Sequence, residues 1–174
     1  MGNKKKKKKV AVAKKKPFNA LNCVILAVVA TVWFALDRVV KSIVEEGHAV
    51  GDILMSSNGI FQFELVHNTG AAWGTFGDST TILTTVTVVI VFGIMLLSIY
   101  ETQRGTRFEI VALALLLGGG LGNLLDRLAF GYVIDFITPT FISFPTFNVA
   151  DIGVTVGVVL FIISLLLQAK KGRF

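Results

Sequence analysis

The chain has 174 residues, of which 53% are hydrophobic and only 16% charged, and its mean hydropathy is +0.74. A soluble domain carries about 25% charged residues, so this composition with its long apolar runs excludes an ordinary soluble domain and points to an integral membrane protein. The net charge of +6 is not a global property, because nine of the 17 basic residues are Lys4 to Lys9 and Lys14 to Lys16.

That basic tail, residues 1–19, precedes the first apolar run. A lysine tract can bind nucleic acid. Beside a membrane span it instead fixes topology and touches anionic lipid, so no nucleic-acid partner is expected. Lys6 stands where a myristoylation signal needs Ser or Thr. Cys23, the single cysteine, can form no internal disulfide and reads as a small apolar residue.

Four segments are long enough to cross a bilayer: about 20–44, 79–100, 108–125 and 149–169. At 1.5 Å rise per residue, ~20 helical residues cover a ~30 Å hydrocarbon core. The first is read as a retained span, because no small-x-small cleavage site follows it. The second, "TTILTTVTVVIVF", is rich in Thr and Val. A lone strand in lipid would leave its amides unpaired, so a helix is expected there as well. Residues 20–169 then form one four-span domain, and 170–174 form a short basic tail.

The first connection is too long for a simple turn. Its stretch "GIFQFELVHNTGAAWG", Gly59 to Gly74, alternates β-forming residues with Gln62 and Glu64, which predicts a short strand or hairpin. Trp73 reads as an interfacial anchor. In the third connection, Pro139 and Pro145 argue against a continuous helix. The expected fold class is therefore an α-helical integral membrane protein with four transmembrane helices and a small extracytoplasmic β-rich segment between spans 1 and 2.

The loops orient these spans. The N-terminal tail, the second connection with Arg104 and Arg107, and the C-terminal tail with Lys170, Lys171 and Arg173 are basic, whereas Glu45 to Asp78 contains no Lys or Arg. The positive-inside rule predicts both termini in the cytoplasm and the first and third connections outside. Asp37, Lys41, Asn123, Asp126, Arg127, Asp135, Asn148 and Asp151 would then collect at one membrane interface.

Asp37 and Lys41 stand at i, i+4 with the acid first, the better order for a helical ion pair. Asp126 and Arg127 are adjacent, so their side chains diverge and each needs another partner. Asn123 shares a face with Asp126 and suits an interhelical hydrogen bond. Asp135 and Asp151 have no local basic partner. A carboxylate beside hydrocarbon is costly unless hydrated, paired or neutral, which makes these two the functional candidates. Brought together, they would share one proton and could perform acid–base hydrolysis. Spacing alone ranks a proton- or cation-coupled carrier nearly level with a hydrolase. The histidines lack an HExxH context and the serines a GxSxG context. "GGGLG", Gly118 to Gly122, lacks the Lys of a phosphate loop and suits close helix packing.

Four blocks carry a resemblance: "DRVVK" (37–41), "HNTGAAWG" (67–74), "GNLLDRLAFGYVIDF" (122–136) and "FPTFNVAD" (144–151). In this order on four spans they resemble bacterial lipoprotein signal peptidase, the signal peptidase II family of membrane aspartyl endopeptidases. The resemblance implies that Asp135 and Asp151 are catalytic. It further implies that Asp37, Lys41, Asn68, Gly70, Asn123, Asp126, Arg127, Asn148 and Ala150 support them or the substrate. The implied reaction removes signal peptides from prolipoproteins by cleavage before a diacylglyceryl-modified cysteine. It uses no metal and no organic cofactor. The implied setting is the bacterial cytoplasmic membrane, with lipid-modified prolipoprotein and membrane lipid as partners and the enzyme as a monomer. In this chain Trp73 stands where the family commonly has phenylalanine.

Overall fold

The computed structural model describes residues 19–57, 59–70 and 80–170. Both basic tails beyond these limits, and Trp73, lie outside the described residues. The described residues form four long helices: α1 (Ala20–Glu45), α2 (Thr80–Glu101), α3 (Arg107–Ala129) and α4 (Val149–Lys170). Each is long and apolar enough to cross a membrane. Three strands accompany them: β1 (Ile53–Met55), β2 (Phe61–Asn68) and β3 (Val133–Pro139).

Local chemistry explains how these sequences tolerate a helix. Thr84, Thr85, Thr87 and Ser98 of α2 each donate their hydroxyl to the carbonyl four residues back, at 2.7–2.8 Å. The span's own backbone thus satisfies hydroxyls that lipid cannot. α3 starts at a capping box in which Thr106 Oγ1 accepts from Glu109 N while the Glu109 carboxylate accepts from Thr106 N. α3 ends at Ala129, so Asp126 and Arg127 lie in its last turn.

The central element is α3. Its apolar stretch is 61% buried inside the protein, against 11% for α1 and α2 and 22% for α4. The glycines make this possible by facing different neighbours. A Cβ on Gly118 would lie 2.6 Å from the Ala30 carbonyl oxygen of α1, one on Gly119 would strike the Ala150 carbonyl of α4, and one on Gly120 would meet Val91 of α2 at 2.9 Å. Backbones therefore approach as closely as small residues permit.

The strands form one antiparallel sheet in the order β1-β2-β3. Only two of them come from the connection between the first and second spans. The third, "VIDFITP", comes from the connection between α3 and α4, so the β-rich region is built from both connections rather than one. Its pairing with β2 runs from Asn68↔Val133 to Phe61↔Pro139 with a bulge between Phe63 and Val66. After Pro139 the chain doubles back. Phe147 bridges Ile137, donating its N–H to the Ile137 carbonyl at 3.0 Å and accepting from Ile137 N at 2.9 Å. This return delivers Asn148 and the start of α4 to the side of β3.

Candidate active site

Asn148 immediately precedes α4 and acts as its cap. Its Oδ1 accepts from Asp151 N at 3.0 Å, and Asp151 Oδ2 accepts from Asn148 N at 3.1 Å. The two residues thereby satisfy two of the helix's orphan groups reciprocally. The Asn148 amide is fully buried and donates to Asp135 Oδ1 at 2.7 Å and to Asn123 Oδ1 at 3.0 Å. One residue thus fastens both candidate carboxylates.

Each carboxylate has a second donor. Asn68 Nδ2 donates to Asp135 Oδ2 at 2.8 Å, and Asn123 Nδ2 donates to Asp151 Oδ1 at 2.7 Å. Strand register explains the first contact: Asn68 pairs with Val133, so Asp135 is its diagonal neighbour on the same face. Gly70 N donates to Asn68 Oδ1 at 3.0 Å, which orients the amide with its nitrogen toward Asp135.

Beneath this pair lies a charged cluster. Lys41, 1% exposed, donates to Asp126 Oδ2 at 2.7 Å and Asn123 Oδ1 at 2.9 Å and stands 3.1 Å from Asp37 Oδ2. Asp37 Oδ1 accepts from Ala150 N at 2.9 Å, and Asp126 Oδ2 accepts from Ile134 N at 3.3 Å. Ala150 is small because α3 crosses there: a Cβ on Gly122 would lie 2.6 Å from Asp37 Oδ2 and 3.2 Å from Ala150 Cβ. The i, i+4 pair expected of Asp37 and Lys41 is present and buried.

Asp135, Asp151, Asn68 and Arg127 line a cavity of about 510 Å³ together with apolar side chains that include Phe144, Phe147, Ile152 and Val156. Arg127 Nη1 also donates to the Asn123 carbonyl at 3.4 Å. The Asp135 carboxyl is pushed up to about 7, first by burial and then by the negative charge of Asp151; its bonds from Asn68 and Asn148 and the charge of Lys41 oppose the rise. A carboxyl with that value holds a proton near neutrality yet can release it, as an acid–base pair requires. Among the described residues no group of three or more His, Cys, Asp or Glu is placed to hold a metal ion.

All eleven residues singled out in the sequence converge on this one region. Three others were not singled out. Arg38 Nη1 and Nη2 bond Asp126 Oδ1 at 2.6 Å and Asp37 Oδ2 at 2.9 Å. Trp33 Nε1 donates to the Val149 carbonyl at 3.1 Å. Glu45 Oε1 accepts from the Tyr132 hydroxyl at 3.3 Å and stands 3.1 Å from His67 Nε2. Trp33 was detectable, since it precedes Asp37 by four residues on one helical face. Arg38 was not, because its second partner lies 88 positions away.

Comparison with known proteins shows the family of the chain. Residues 29–167 match the family model described as Signal peptidase (SPase) II. A lipoprotein signal peptidase of Symbiobacterium thermophilum is 39% identical over 153 residues, covering 86% of this chain and 97% of its own length. One from Shouchella clausii is 36% identical over 146 residues, covering 84% and 95%. A solved bacterial membrane enzyme superposes with a TM-score of 0.72 at 32% identity, covering 90% of this chain and 94% of its own. With four membrane-crossing helices and this match over most of its length, the chain is a multi-pass membrane protein that belongs to the signal peptidase II family of proteases.

Proposed function

We propose that the chain removes signal peptides from prolipoproteins, with Asp135 and Asp151 as the catalytic dyad, cleaving before a diacylglyceryl-modified cysteine. The observation that carries this reading is Asn148, whose amide bonds Asp135 and whose backbone N–H bonds Asp151. A shared residue holds the two acids at one cavity wall.

In the mechanism, the ionised member of the dyad takes a proton from a water molecule, which attacks the scissile carbonyl. The protonated member polarises that carbonyl and passes its proton to the leaving amide nitrogen. Either carboxylate can start as the base, since each has two hydrogen-bond donors. Asn68, with Gly70 behind it, orients Asp135, and Asn123 orients Asp151. Asp37 and Asp126 hold the backbone around them, Lys41 holds those two acids, and Ala150 lets α4 approach α3. Arg127 reaches the cavity as a cation that can meet a substrate carbonyl. The apolar wall of Phe144, Phe147, Ile152 and Val156 suits the lipid of the modified cysteine, and substrate enters sideways from the bilayer.

The basic second connection and tails support a topology with both termini in the cytoplasm and the dyad at the outer interface of a bacterial cytoplasmic membrane. Because one chain supplies both aspartates, a monomer suffices. A carrier using the same carboxylates gains no support from the family match. Incubation with lipidated and unlipidated precursor tests the reading: the protein should cut only the former. A reporter active only outside the cytoplasm and fused after Arg104 should be silent.

A further inference from the structure

The two buried acids Asp37 and Asp126 share an unusual relation to the dyad. Asp37 accepts from Ala150 N, the residue just before Asp151. Asp126 accepts from Ile134 N, the residue just before Asp135. Each acid therefore grips the backbone amide immediately ahead of one dyad aspartate. Asp37 comes from α1 and Asp126 from α3, and Arg38 spans them with a forked guanidinium: Nη2 to Asp37 at 2.9 Å and Nη1 to Asp126 at 2.6 Å.

We infer that Arg38 is a positioning residue for peptide cleavage, a strut that sets the spacing of Asp135 and Asp151 through the carboxylates of Asp126 and Asp37. The inference rests on the proposed dyad and adds a residue to it. Two physical arguments support it. The first is geometric: a planar guanidinium fixes two carboxylates in direction as well as distance, which an ammonium cannot do. The second is charge. Asp37 and Asp126 are both fully buried, and Lys41 alone would leave one negative charge uncompensated. Arg38 makes the cluster neutral, two acids against two bases. A buried unpaired charge is strongly unfavourable, and here it would act beside a pair of acids that must keep one proton between them.

The charge argument predicts a specific signature. Asp135 is faced by Asp151 from α4, Lys41 from α1 and Arg127 from α3, with Asn68 and Asn148 as neutral donors. Extra negative charge in the cluster below should make the dyad hold its proton to higher pH. Loss of the fork without loss of charge should instead displace the acids without moving their titration.

The test compares wild type, Arg38→Gln, Arg38→Lys and Asp151→Asn as purified full-length protein, with lipidated prolipoprotein as substrate. The readouts are kcat and KM across pH, and thermal unfolding. Arg38→Gln should lower kcat roughly tenfold to a hundredfold, the range for small misplacement of reacting groups. KM should stay within about twofold, because neither Arg38 nor its bonded partners Asp37 and Asp126 line the cavity. The alkaline limb of its kcat profile should move to higher pH. Arg38→Lys should keep the wild-type limb while kcat falls. Wild-type kcat and limb in Arg38→Gln would overturn the inference, as would a loss confined to KM or one matching the loss of folded protein. Should Arg38→Gln fail to fold, Arg38→Lys decides: wild-type kcat overturns the strut, and a lowered kcat at unchanged KM and limb supports it. Asp151→Asn separates the two levels, since full cleavage by that variant defeats the dyad itself.

Discussion

Asn148 and Asp135 are joined by a 2.7 Å hydrogen bond between residues 13 apart, and the same Asn148 caps the helix that carries Asp151. Asn148→Ala therefore removes a helix cap and a dyad ligand together. The cap alone is worth about 1 kcal/mol, which a thermal unfolding shift will report. The kcat loss should exceed what that shift explains, roughly a hundredfold, comparable to losing a positioned donor at a reacting group. Single-turnover cleavage of lipidated precursor measures it.

Activity should fall as pH rises through about 7, where Asp135 loses its proton in the folded protein. Stability should follow the same group. Its folded value lies above the ordinary carboxyl range, so the unfolded chain releases this proton first as pH rises. The folded state consequently loses stability between about pH 4 and pH 7 and no further above that. Asp135→Asn abolishes the effect. Its unfolding temperature relative to wild type should be higher at pH 8 than at pH 5.

Asn68→Ala leaves Asp135 Oδ2 without its 2.8 Å donor. Because that bond favours the ionised carboxylate, its loss should move the alkaline limb to higher pH and lower kcat. An unchanged profile would separate Asn68 from the dyad.

Gly122→Ala tests the packing under the site. Its Cβ would stand 2.6 Å from Asp37 Oδ2, so either α3 moves or Asp37 releases Ala150 N. Overpacking of this kind costs about 1–3 kcal/mol. Thermal unfolding should drop accordingly, and cleavage should drop with it, whereas Gly93→Ala, where a Cβ meets open space in mid-helix, should lower neither.

The parts of this structure readable in the sequence are those with local signatures. Apolar runs mark the four helices, because a helix crossing lipid is set by its own composition. Asp135 and Asp151 stood out because no neighbouring cation could pair with them, and among the described residues no ion pair involves either. What was not readable depends on chain segments meeting from afar. β3 pairs with β2 across more than 60 residues, and "VIDFITP" is too short and too interrupted by Asp135 to identify itself. The return of Phe147 onto Ile137 has no local signal, yet it delivers Asn148 to Asp135. Nothing local marks Arg38, because Asp126 reaches it only through the packing of α1 on α3.

The central claim is that Asp135 and Asp151 act as a pair, and cleavage of lipidated prolipoprotein by Asp135→Asn and Asp151→Asn tests it most directly. Both substitutions preserve size and leave a side chain that can still meet Asn68, Asn123 and Asn148. Each variant should remain folded, judged by thermal unfolding, and release no signal peptide. Full processing by either variant would contradict the account.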